Sequence, residues 1–130
     1  MFVVRVAGNV IDEVVLKSLE YAVVHLETPL LMVLGHRNCG AVKATVDAIA
    51  TGKEGEGHLR HIVNAIRPAV TEVQSQSGDL LDNVIRANIQ GVVKQLTSMF
   101  LSMVREQKLK IDGAYYNLQS GRVELLESAG

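Results

Sequence analysis

Apolar positions along this chain switch between short unbroken runs and helical spacing, and the switches mark out its elements. Phe2–Val6 is an apolar run broken only by Arg5, predicting a buried strand, and Ala7-Gly8-Asn9 reads as the turn that ends it. From Ile11 to Leu26 the apolar residues Val15, Leu19, Ala22, Val23 and Leu26 fall on one helical face, leaving Asp12, Glu13, Lys17, Ser18 and Glu20 for water. Thr28-Pro29 stops that helix. Leu30–Leu34 is apolar throughout, as a strand covered on both faces should be. Strand, helix and strand make a βαβ unit, so the two runs are expected to lie in a parallel sheet.

The second half is mainly helical. Ala41–Ala50 carries Val42, Val46 and Ile49 on one face, and Thr51–Gly57 is a polar, glycine-rich loop. His58–Ser75 resumes helical spacing, with Pro68 expected to kink or divide it. Asp79 is placed to cap the longest helix, expected over Leu80–Glu106. Met99, Phe100 and Met103 form a soft apolar face there, for which core packing is the default. Lys108–Asn117 and Arg122–Leu126 alternate about Gln119-Ser120-Gly121, predicting a terminal hairpin.

Composition narrows the function classes. The chain has 130 residues, 48% hydrophobic and 21% charged, which suits a single α/β domain. A net charge of −1 gives no reason to expect nucleic acid or an anionic membrane as partner. No apolar run approaches the ~18 residues that span a bilayer, and MFVVRVAGNV lacks the basic and small-residue features of a signal peptide. The single cysteine excludes an internal disulfide, and a cytoplasmic location is expected.

That cysteine belongs to the sharpest candidate site. LLMVLGHRNCG, Leu30–Gly40, places His36 and Cys39 at the junction of a strand and a helix, between Gly35 and Gly40. Imidazole and thiolate are zinc ligands, the glycines would let the backbone bend, and amides of the following helix would favour a thiolate. A buried structural cysteine beside a capping histidine explains the same residues. An H-x-x-C pair offers two ligands where a tetrahedral ion needs four. His58 and His61, three apart, are better explained as solvated, His25 as a contact to a helix C-terminus, and Asp12 as either a cap or a residue approaching the site.

GHRNCG after LLMVL and before a helix resembles the G-H-x-x-C-G motif of the β-class carbonic anhydrases. FVVRVAGN resembles that family's F-V-x-R-x-A-G-N segment, with Val6 where asparagine is commoner. SLEYAVVHL, LRHI and IDGAYYNLQSGRVELL continue the similarity in order over essentially the whole chain. The resemblance implies a three-layer α/β fold, a mostly parallel sheet flanked by helices with a C-terminal antiparallel hairpin. It implies Zn²⁺ held by two cysteines and one histidine, a metal-bound hydroxide attacking CO₂ to give bicarbonate, and a homodimer or higher homo-oligomer. By motif match, His36 and Cys39 are two of the three protein ligands.

The family's other cysteine, with an Asp-Arg pair, belongs to a C-x-D-S-R segment upstream of FVVR, and this sequence contains no such segment. A single carbonic-anhydrase-like domain over residues 1–130, lacking that N-terminal segment and impaired in catalysis, is therefore expected. Arg5, Asn9 and Gly40 are the candidates for an anion or cleft role. Arg5, in a strand, would need a salt-bridge partner, and without tryptophan the sequence does not support the family's regulatory bicarbonate site. The competing function is a non-catalytic relative that dimerises or binds an anion. A thiol enzyme using Cys39 and His36 is weaker, for no supporting constellation accompanies them.

Overall fold

Three segments pair into one sheet: β1 (Leu30–His36), β2 (Lys110–Tyr116) and β3 (Val123–Leu126), in the order β1-β2-β3. The structure, a computed structural model, describes residues 1–54 and 57–127. β1 and β2 run parallel, with Leu30 opposite Lys110 and His36 opposite Tyr116. β3 returns antiparallel, with Tyr116 opposite Val123 and Gly113 opposite Leu126. The expected hairpin thus forms, and Gly121 takes the positive φ of 74° that its turn requires.

The helices are α1 (Glu13–Glu20), α2 (Gly40–Thr51), α3 (Leu59–Val73), α4 (Leu80–Met99) and α5 (Leu101–Arg105). α4 lies on the sheet, and α2 and α3 pack on one another and on α4. Its residues Val84, Ile89 and Leu96 are fully buried, together with Ile66 of α3 and Val42 of α2. Apolar positions at threes and fours on each helix build this core, so burial rather than intrinsic propensity fixes where the helices sit. The helix-rich fold with a small mixed sheet agrees with the α/β class expected.

The predicted cap forms, and of the two readings of Asp12 the cap is the one observed. Asp79 accepts from the Asp82 amide at 3.0 Å, and Asp12 from the Val15 amide at 2.8 Å. Each satisfies an amide that the first helical turn would leave unpaired. Replacing Asp12 with alanine should therefore cost about 1 kcal/mol in urea-induced unfolding and leave metal binding unchanged.

Other expectations are corrected. Phe2–Val6 is not a strand: a strand needs a hydrogen-bonding neighbour, β1 pairs with β2, and Phe2, Val3 and Val6 are exposed in irregular chain. The parallel pair joins β1 to β2, the first strand of the terminal hairpin, instead. β1 is not covered on both faces, because Leu31 and Val33 are buried while Leu30, Met32 and Leu34 are exposed. Leu26 and Met99 are exposed as well.

The helix expected to Leu26 passes after Glu20 into a π-helical turn, Tyr21–His25, in which the Leu26 amide bonds the Tyr21 carbonyl at 3.2 Å. The longest helix breaks at Phe100, whose φ of −106° and ψ of 28° leave the helical region while its ring stays buried. Pro68 does not divide α3. Of the polar loop Thr51–Gly57, Gly52 is the left-handed C-cap of α2, and residues 55 and 56 lie outside the described residues. Among the described residues, no helix is long and apolar enough to cross a membrane.

Candidate functional site

The corner at the end of β1 is assembled from two pieces of chain. His36 ends β1, Arg37 and Asn38 turn, and Cys39 occupies the N-cap position of α2. Cys39 is buried and His36 half-buried. The positive φ of the turn falls on Asn38, at 56°, rather than on either flanking glycine. Gly35 is needed for another reason. A β-carbon there would come within 2.6 Å of Ile89 Cγ1, so only glycine lets β1 pass this close to α4. A β-carbon at Gly40 would meet nothing within 4 Å.

The Ala7–Asn9 turn is the second piece. Asn9 Nδ2 donates to the Leu34 carbonyl at 3.0 Å, and the buried Asn88 Nδ2 donates to the Gly8 carbonyl at 2.7 Å. Gly8 has a φ of 68° and lies against Ile66, where a side chain would collide. Asn9 therefore reaches β1 beside the corner, but as a backbone tie. Arg5 is exposed and has no ion pair among the described residues, so the partner expected of a buried arginine is not needed.

One hydrogen bond orients the His36 ring. Its Nδ1 donates to the Arg37 carbonyl at 2.9 Å. A carbonyl only accepts, so Nδ1 carries the hydrogen and the neutral ring presents the lone pair of Nε2. The donor chemistry of His36 and Cys39 thus fits zinc. The donor number does not, because a catalytic zinc takes three protein ligands. Among the described residues no group of three or more His, Cys, Asp or Glu is placed to hold a metal. His58 and His61 are exposed at the start of α3, His25 is exposed with its ring 5.4 Å from that of Tyr21, and Asp12 caps α1.

Beside the corner lies a cleft of about 650 Å³, bounded by the Arg37-Asn38 turn, the first half of α4 and the terminal hairpin. Its floor is a connected set of charges. Arg86 Nε bonds Asp82 at 2.9 Å, and its two terminal nitrogens bond both oxygens of Glu124 at 3.0 Å. The guanidinium lies 4.2 Å from the centre of the Tyr115 ring, and Tyr115 Oη donates to Asp82 Oδ1 at 2.6 Å. This set ties β2 and β3 to α4.

The network biases its own ionisation. Burial, then the hydrogen bond to Asp82, pushes the Tyr115 phenol from 10.0 up to about 12. At Asp82 burial is the largest single influence and opposes ionisation. Hydrogen bonds from Tyr115 and Arg86, with the positive charges nearby, outweigh it and hold the carboxyl below 3.8. Hydrogen bonding from Arg86 lowers Glu124 below 4.5. For the carboxylates the linked stability is present above their unfolded values and falls away as pH drops through the lowered ones. For Tyr115 it is full below 10.0 and lost as pH rises towards about 12. A stability–pH curve should show both losses, and Tyr115→Phe should remove the alkaline one.

None of these cleft residues stands out in the sequence. Asp82 and Arg86 have the i, i+4 spacing of a helical ion pair, but Tyr115 and Glu124 join them only through strand register.

The carbonic anhydrase family model matches residues 1–123. The carbonic anhydrase of Mycolicibacterium smegmatis is 39% identical over 133 aligned residues, covering 100% of this chain and 65% of that protein. The β-carbonic anhydrase CafA of Aspergillus fumigatus superposes with a TM-score of 0.81 at 29% identity, over 98% of this chain and 64% of CafA. A tetrameric β-carbonic anhydrase of Sordaria macrospora shares the fold, with a TM-score of 0.81 at 20% identity, over 96% of this chain and 67% of that one. The chain thus spans about two thirds of the length of these relatives.

Proposed function

We propose, from the premise that this chain belongs to the β-class carbonic anhydrase family, that its corner serves zinc-dependent, reversible hydration of CO₂ to bicarbonate. His36 and Cys39 are two of the ligand positions. The observation that carries this reading is the His36 tautomer, with Nδ1 tied to the Arg37 carbonyl and Nε2 left for a metal, one turn from a buried thiol at a helix start. Zinc, when bound, would supply hydroxide near neutral pH. The protein's part is to hold the imidazole in one orientation and to keep the buried thiol at the start of α2.

By themselves the 130 residues fall short of a full ligand set, with one cysteine in the sequence, so this chain alone is an impaired catalyst. Zinc per chain by elemental analysis and CO₂ hydration on the same sample test this. Substoichiometric zinc with a background rate is expected; full zinc and fast, chelator-sensitive hydration would reject the impairment.

The incomplete donor set also favours a second reading, a non-catalytic relative that keeps the fold to dimerise or bind an anion. Under either reading we expect a homodimer or higher oligomer, supported by the exposed apolar face of Leu30, Met32 and Leu34. Sedimentation should give a mass above that of one chain. The unbridged Cys39 suits a reducing, cytoplasmic setting.

A further inference from the structure

The cleft beside the corner has a hydrogen-bonding balance that points to a ligand. Its acceptors are largely used. Asp82 takes Arg86 and Tyr115 on its two oxygens, both oxygens of Glu124 are held by Arg86, and Asp79 caps α4. Its cationic donors are largely unused. Among the described residues the Arg122 side chain has no hydrogen bond or ion pair. Arg37 spends only Nη1, on Gln119 Oε1 at 2.6 Å. The free cationic capacity of the cleft is therefore that of two guanidiniums, each presenting the planar fork that matches an oxyanion.

Size and walls say more. A volume of about 650 Å³ is in the range of small-molecule sites and far exceeds what a bare inorganic anion fills. Leu81, half-buried, lines the same space and offers an organic body apolar surface to lie on, whereas Ile85 and Tyr115 are buried behind it.

We infer that this cleft binds a small organic anion: an oxyanion head, carboxylate or phosphate monoester, on Arg122 and Arg37, and a small apolar body against Leu81. The site is distinct from the His36–Cys39 corner but joined to it. The Arg37 amide bonds the Tyr116 carbonyl at 2.8 Å, and the Arg37 carbonyl is the partner of His36 Nδ1. A ligand seated on the Arg37 side chain thus steadies the residue that orients His36.

The inference stands apart from carbonic anhydrase activity, because it is tested on the metal-free chain. Phenyl phosphate, benzoate and inorganic phosphate are each titrated while amide NMR shifts and heats of binding are followed. Saturable binding of phenyl phosphate or benzoate is expected, with shifts centred on Arg37, Asn38 and Arg122; which probe binds more tightly assigns the head group. Arg122→Gln should weaken that binding about tenfold or more, and Arg37→Gln likewise. Arg122 is exposed on the hairpin, so its variant should keep the parent's melting temperature; Arg122→Lys, which keeps charge but loses the fork, should fall between. Absence of saturable binding to all three probes would overturn the inference. So would binding indifferent to both glutamine variants, or inorganic phosphate binding as tightly as phenyl phosphate.

Discussion

Extending this chain upstream with a C-x-D-S-R segment should raise bound zinc from a small fraction to about one ion per chain, and CO₂ hydration from background to a chelator-sensitive rate. The physical ground is ligand count. His36 and Cys39 bring one neutral and one anionic donor, and the added cysteine would bring the third donor that a catalytic zinc takes. In the extended protein, Cys39→Ser should lower zinc affinity at least about 100-fold, since even the outer hydrogen-bond partners of metal ligands are worth about 10–100-fold. His36→Ala should do the same. Elemental analysis and competition with a chelator read both effects. If the unextended chain already carries one tightly held zinc, a donor outside His36 and Cys39 completes the site, and the impairment reading is wrong.

The second large effect concerns the contact that seats β1. Gly35→Ala should destabilise the fold by about 1–3 kcal/mol through overpacking, because its new methyl would collide with Ile89 Cγ1 and Cδ1. Ile89 cannot swing aside. It is fully buried and has little room on its other side, where a β-carbon at Gly113 of β2 would come 2.9 Å from Ile89 Cγ2. Ile89→Ala, by contrast, leaves a cavity and should cost about 2–5 kcal/mol. The two changes oppose each other in volume, so the double variant should be more stable than the summed costs predict. Urea denaturation of the four proteins closes the cycle. Additivity within error would mean that β1 shifts away from α4 rather than pressing on it. Because His36 follows Gly35 directly, the Gly35 variant should also blunt zinc uptake by the extended protein.

Much of this was legible locally. Asp12 and Asp79 announce helix starts, because a side chain that accepts an amide hydrogen bond within its own turn needs no distant partner. The hairpin around Gly121 is legible for the same reason: its turn demands a positive φ that glycine supplies cheaply. The H-x-x-C pair is also local, since the end of a strand and the start of a helix bring its members to one corner wherever the rest of the chain goes.

What could not be read depends on neighbours distant in sequence. Phe2–Val6 has strand composition, yet composition does not supply the adjacent edge on which a strand's amides and carbonyls depend. The same apolar run at Leu30–Leu34 is compatible with one covered face or two, and only packing on α4 shows that Leu31 and Val33 are inside while Leu30, Met32 and Leu34 are out. Gly35 looks like a turn residue until Ile89 is placed beneath it. The cleft is the furthest from sequence, since Arg37, Asp82, Tyr115 and Arg122 come from separate elements.

The sequence by itself determined the family, the helix caps, the terminal hairpin and the pairing of His36 with Cys39, all consequences of short-range spacing. Tertiary structure alone decided which strands pair, which face of β1 is buried and which residues line the cleft. Those outcomes rest on hydrogen-bond partners and excluded volume contributed by residues far along the chain.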